Sequence, residues 1–348
     1  MLGSTLSAAA SQATHSEKNL TDLLEPIAAE LPRVEELLAG QVRGFDQRLE
    51  DYIQYILGGT GKRLRPSLAL LAGGATGRVT NEHVTLAVII ELIHVATLVH
   101  DDVLDEADLR HRLPTSNSRW GNEISVLLGD CIFAHALHLA ASYATTDVCR
   151  KVSEATNTVC SGEILQNQRR FDLSLTLDQY LGIINMKTGA LFAVSCELGA
   201  MLNAAPAPVV KSMQEFGINL GIAYQVYDDC LDIFGQERQA GKSLGTDMKK
   251  GKLTLPFLLL LQHMGSERRE ELGAMIFDNS QQEQQRLLKL VLGNGVIGES
   301  LATIDAYIAR AQSNLADLPS NVYTRTLGAL TGYLSDQSRL LLKEGSTR

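Results

Sequence analysis

Residues 84–99 read VTLAVIIELIHVATLV, and HDDVLD follows at 100–105. The first stretch is apolar all round, and its only ionisable side chains are Glu91 and His94. Its pattern predicts a buried helix that ends in carboxylates. Asp101 and Asp105 are four apart, so on a helix they share a face about one turn apart. The pattern recurs at Asp228-Asp229-Cys230-Leu231-Asp232, again after an apolar stretch, residues 216–227. Like charges at that spacing repel, and apolar flanks make each ionised carboxylate costlier to hold. A solvated acidic helix end would explain one such cluster, but two behind apolar helices call for a shared partner. A hard divalent cation is that partner, and few carboxylates per cluster suits magnesium that also binds substrate phosphates.

Outward from these clusters the chain keeps helical spacing, as in Leu20-Leu23-Leu24-Ile27, and strand alternation is almost absent. Prolines fall at edges, with none between Pro114 and Pro206. Hydrophobic residues make up 45% and aromatic residues 5% of the 348 residues, which favours helices packed on helices. The expected fold is all-α, a single large helical bundle with a central cavity over residues 18–348, preceded by a disordered tail over 1–17. Residues 204–208 and 235–251 read as loops, rich in Pro or in Gly and Lys.

A net charge of −9 argues against nucleic-acid binding. Five cysteines without a CxxC pair read as reduced core thiols in a cytoplasmic protein. No targeting segment is visible, and no stretch of about 18 apolar residues marks a transmembrane span.

Cations follow each acidic cluster. Arg110, His111 and Arg112 come after the first, and Lys242, Lys249, Lys250 and Lys252 after the second. Lys62 and Arg65 flank a glycine-rich turn, and Lys187-Thr188-Gly189 lies in a predicted helix. Surface ion pairing is the bland account of such residues. Their alternation with the acidic clusters instead suits a polyanion held between metal and cations.

In this order the motifs resemble the trans-prenyl diphosphate synthase family, in its medium- and long-chain branch. They are GKRLRP (61–66), HDDVLDEADLR (100–110), LLGD (127–130), GEILQ (162–166), KTGALF (187–192), YQVYDDCLD (224–232), and GKSLGTD with GKLTLP (241–256). The resemblance implies an isoprenoid-synthase-like bundle and head-to-tail condensation of isopentenyl diphosphate with an allylic diphosphate. It implies magnesium, three ions per site with substrate bound, and a homodimer. Asp101, Asp105 and Asp228 would ligate metal, supported by Asp102, Asp229 and Asp232. Arg110, Lys187, Thr188, Gln225 and Lys242 would hold the allylic diphosphate, with Lys252 near it. Lys62, Arg65 and His94 would take isopentenyl diphosphate. His111 stands where the family usually has a second Arg of that site, which makes the site weaker or more pH-dependent.

The resemblance also sets an expectation for product length. Residues one turn apart above Asp101 would act as depth marks, since a turn rises about 5.4 Å. Short-chain members carry a bulky aromatic where Ala96 and Thr97 stand, and Ile93 comes next. None is aromatic, so a product longer than C20, in the range C30 to C40, is expected. A short-chain synthase making farnesyl or geranylgeranyl diphosphate is the alternative within the family. A terpene cyclase would have no need of Lys62, Arg65 and the second aspartate motif, and a non-catalytic partner subunit usually lacks one of the two motifs.

Overall fold

Thr80 opens the helix read from residues 84–99: its backbone N donates to His83 Nδ1 at 3.2 Å. The ring's proton is thereby left on Nε2, which reaches the carbonyl of Gly199 at 3.0 Å. In the computed structural model the described residues are 20–59, 61–110, 113–235, 246–278 and 280–345. The expected tail and most of the 235–251 loop lie outside them.

The helices in chain order are α1 (Leu31–Gly40), α2 (Glu50–Leu57), α3 (Leu64–Thr76), α4 (Asn81–Leu104), α5 (Ser116–Trp120), α6 (Asn122–Ala140), α7 (Asp147–Gln168) and α8 (Leu177–Ile184). A π-helical turn (Asn185–Gly189) joins α8 to α9 (Ala190–Met201), and α10 (Ala207–Phe234) carries the second aspartate cluster. Then come α11 (Thr246–Lys249), α12 (Leu255–His263), α13 (Gly265–Phe277), α14 (Gln281–Gly293), α15 (Val296–Ser313) and α16 (Val322–Gly345). Among the described residues the only strands are β1 (Leu109–Arg110) and β2 (Leu113–Pro114), a two-residue antiparallel pair with Arg110 opposite Leu113. The all-α expectation holds.

Three helices are buried on nearly every side and form the centre: α3, α4 and α9. α4 packs against α3, α6 and α1, and α9 against α10 and α3. Small residues set these distances. A Cβ on Gly199 would lie 2.5 Å from the Ala69 carbonyl, and one on Gly217 2.5 Å from that of Phe192. One connected apolar core takes in residues from Leu24 to Leu341.

Among the described residues three segments are, by length and composition, long and apolar enough to cross a membrane, where the sequence reading expected none: Asn81–Leu104, Asn122–Ala140 and Leu177–Met201. The first and third are 72% and 67% buried in the fold, and α6 only 33%. Ile124 and Leu127 of α6 are exposed, as are Ile164 and Leu165 of α7. The cysteines differ from expectation in the same region. Cys196 and Cys230 are core thiols, but Cys131 and Cys160 are exposed on α6 and α7.

Candidate active site

Asp101 and Asp102 occupy the last turn of α4, and Asp105 caps it. This is the negative end of the helix dipole, so three carboxylates here require cations around them. Arg110 on β1 donates to Asp102 from Nε at 3.0 Å and from Nη2 at 2.8 Å. Asp105 accepts from Lys252 Nζ at 2.8 Å and Arg170 Nη2 at 3.0 Å, with Lys250 Nζ at 3.6 Å. Asp101 lies 4.0 Å from Lys187 Nζ. Burial pushes the Asp101 carboxyl above its ordinary range, against the pull of Lys187. Burial acts the same way on Asp105, but Lys252, Lys250 and Lys187 bring it below that range.

Lys187 is aimed by the π-helical turn, a local widening often found at functional sites. Its ammonium meets Glu163 at 2.5 Å and Gln166 at 2.9 Å, both on α7. α7 comes this close because residue 162 is glycine: a Cβ there would sit 2.8 Å from the backbone nitrogen of Lys187. Burial works against the charge on Lys187, but Asp101 and Glu163 raise its pKa above the ordinary value. The next residue joins the second cluster. Thr188 Oγ1 donates to Gln225 at 2.6 Å, and Gln225 donates to Asp229 at 2.8 Å. Tyr180 donates its hydroxyl to Asp229 at 2.6 Å. Burial, and after it Asp247, push the Asp229 carboxyl up to about 7. Asp232 accepts the backbone N–H of Asp247 at 3.3 Å.

Arg65, in the first turn of α3, meets α4 and α9 through His94 and Phe192. Burial lowers its pKa from the ordinary value, against the pull of the Glu91, Asp101 and Asp228 carboxylates. Arg65 stacks over Phe192, 4.9 Å from the ring centre, and its Nε is buried with no hydrogen-bond partner among the described residues. Arginine can only donate, so His94 Nε2, 3.0 Å from Nη1, is the acceptor. Burial, with Arg65, Arg110 and Arg63 nearby, holds His94 well below its ordinary pKa. His94 is therefore neutral. Lys62 is exposed on the adjoining turn. His111 and Lys242 lie outside the described residues.

Of the three depth marks only Thr97 reaches a surface. It is half-buried, with Oγ1 donating to the His94 carbonyl at 2.7 Å. Ala96 and Ile93 expose nothing, nor do Ile90 and Ile89 below them. Small size at residue 96 does not produce open space, because α6 closes in on α4: a Cβ on Gly129 would come within 2.2 Å of the His100 ring.

Among the described residues no three His, Cys, Asp or Glu side chains converge on a point that could hold a metal alone. The donors are all carboxylate oxygens on two helix ends. That set fits a hard cation which completes its shell from substrate oxygens.

Glu163, Gln166, Arg170 and Tyr180 join the site without a role assigned from the sequence. Glu163 and Gln166 are three apart beside Gly162, a one-face spacing that could have flagged them. The Arg169-Arg170 pair directly after α7 was a similar signal.

Known proteins resemble this chain in sequence and fold. Residues 46–291 match the family model described as polyprenyl synthetase. Octaprenyl diphosphate synthase of Escherichia coli is 37% identical over 258 residues, covering 74% of this chain and 80% of that one. A crystal structure of a decaprenyl diphosphate synthase from Rhodobacter capsulatus superposes with TM-score 0.86 at 30% identity, covering 92% of this chain and 99% of that one. A polyprenyl synthase from Caulobacter crescentus, complexed with calcium and isoprenyl diphosphate, gives TM-score 0.86 at 31% identity over 91% of this chain and 97% of that one. The two aspartate clusters, the cations between them and these matches make the chain a member of the polyprenyl synthetase family.

Proposed function

We propose that the protein is a magnesium-dependent prenyltransferase that condenses isopentenyl diphosphate onto an allylic diphosphate, with a product longer than C20. The observation that carries this reading is the ring of cations on the first aspartate cluster: Arg110 on Asp102, Lys252 and Arg170 on Asp105, and Lys187 beside Asp101. Bound magnesium would be held by Asp101, Asp105 and Asp228 and would stabilise charge on the departing diphosphate. Lys187 would follow that charge, shifting from Glu163 and Gln166 towards the leaving group, and Thr188 and Gln225 line the same wall. Lys62 and Arg65 would seat the second diphosphate, with neutral His94 fixing the Arg65 fork. The apolar helices around the site would exclude water from the allylic cation. A long product is supported by the octaprenyl and decaprenyl names of the relatives and by the absence of an aromatic at residues 96 and 97.

Purified protein given both diphosphates and magnesium should release a polyprenyl diphosphate, and chelation should abolish turnover. Asp101→Ala and Asp228→Ala should each lower kcat by orders of magnitude, with the helical circular dichroism retained. Undiminished activity in either variant removes the metal assignment, and a wild-type product of C20 or shorter removes the length.

The assembly is proposed to be a homodimer through α6 and α7. Ile124, Leu127, Ile164 and Leu165 leave an apolar face there that a second copy would cover. Leu127→Asp should halve the mass measured by light scattering. A wild-type monomer, or a dimer indifferent to that change, rejects the interface.

A further inference from the structure

Arg63 lies between the two cations assigned to isopentenyl diphosphate, and its own side chain points away from that work. Its backbone is left-handed, with φ 49° and ψ 33°, at the start of α3. Left-handed backbone is uncommon for a residue with a side chain and persists where its surroundings impose it. The surroundings here are explicit. Nε donates to Glu35 on α1 at 2.6 Å, and Nη1 donates to Glu91 on α4 at 2.5 Å. Nη2 donates to Glu35 at 3.1 Å and to the Gly59 carbonyl at 3.0 Å. The Arg63 side chain is 12% exposed and that of Glu91 5%, whereas Glu35 is half open to solvent. The Arg63 carbonyl is occupied too, accepting from Ser67 Oγ at 2.9 Å. One guanidinium thus ties the glycine-rich turn to two helices.

The geometry has a direction. Glu91 lies one turn before His94 on α4, and His94 orients Arg65. Two cross-links, Arg63–Glu91 and Arg65–His94, therefore pin the start of α3 to α4 in one register. Gly58, Gly59 and Gly61 would otherwise let the turn that carries Lys62 sample many conformations. We propose that Arg63 is a positioning residue for the isopentenyl diphosphate site: gripped by Glu91 and Glu35, it sets the bend that presents Lys62 and Arg65 to the diphosphate. The inference rests on the reading of Lys62 and Arg65 given under Proposed function.

The test is a set of variants read by steady-state kinetics and by calorimetric titration of isopentenyl diphosphate into the free enzyme. Arg63→Gly keeps the left-handed backbone free of strain and removes the guanidinium. It should raise KM and Kd for isopentenyl diphosphate about tenfold or more, leaving kcat and the allylic KM within about twofold. Glu91→Gln should follow it, and Glu35→Gln, at the solvent-exposed arm, should do less. The double variant Arg63→Gly with Glu91→Gln leaves no buried carboxylate unpaired. It should regain thermal stability over Arg63→Gly alone without recovering affinity, a separation that a merely structural ion pair would not show. Unchanged affinity in Arg63→Gly, or equal losses for both substrates and kcat, overturns the positioning role. If wild type does not bind isopentenyl diphosphate, or Arg65→Ala binds it normally, the site assignment fails instead, and the inference fails with it.

Discussion

Burial is the chief cause that lowers the pKa of both His94 and His83, and at His94 the neighbouring arginines add to it. His94 accepts from Arg65, and His83 caps α4 while reaching Gly199, with Glu82 only weakly favouring its charge. The pH consequence has a definite sign. The unfolded chain protonates these rings near pH 6.5 and the folded chain below it, so the stability they contribute is complete above that pH and is lost as pH falls. Below pH 6.5 each ring should lower the unfolding free energy by up to about 1.4 kcal/mol per pH unit, opposed by Asp229, whose raised carboxyl takes up a proton in the fold as pH falls. His83→Gln should flatten that slope, and a slope equal to wild type would show that the ring titrates as freely folded as unfolded. At this scale the aspartates were legible because Asp101 and Asp105 sit at a helical repeat. Arg170 and Lys252 were not legible as partners of Asp105, since they meet it across 65 and 147 residues of chain. Lys252 could be placed near the diphosphate by its motif but not onto a carboxylate.

Elements owe their spacing to a few glycines, and these separate packing from propensity. Gly199 in α9 faces the Ala69 carbonyl of α3, so Gly199→Ala forces two central helices apart. It should cost about 1–3 kcal/mol, the usual range for overpacking. Gly182 in α8 has nothing within 4 Å of its would-be Cβ, and Gly182→Ala should gain about 0.5–1 kcal/mol from helix propensity alone. Urea titration of the pair checks both signs, and equal effects would mean that the α3–α9 contact yields freely. α4 was legible as an element because a long apolar run closed by aspartates has few other solutions. The π-helical turn was not: one extra residue in a helix leaves the local composition unchanged, and only its tertiary contacts reveal it.

For the whole molecule, product length is a question of where the core yields. Thr97 is the last of the three marks with accessible surface, and the column below it is closed. A long tail must therefore displace side chains around Ile93 or turn between helices. Thr97→Phe places a ring at the mouth of that path and should shift the main product towards C15, as read by chromatography of the dephosphorylated products. An unchanged distribution would show that the tail leaves Thr97 to one side. The bundle was readable from the sequence, but this closure was not. Side-chain size at Ala96 says nothing of how near α6 approaches, and Gly129 against His100 decides that.

The widened turn at 185–189 puts the two halves of Leu177–Met201 out of phase. A regular helix advances about 100° per residue, so the extra residue acts as a single-step insertion. Removing one residue there would restore an unbroken helix with a full hydrogen-bond ladder. It would also rotate Lys187 off its line to Asp101, or α9 off its seat on α3. The count of residues between Thr176 and Gly199 is thus a functional constraint in itself: deleting one within the turn should improve the local helix and abolish turnover.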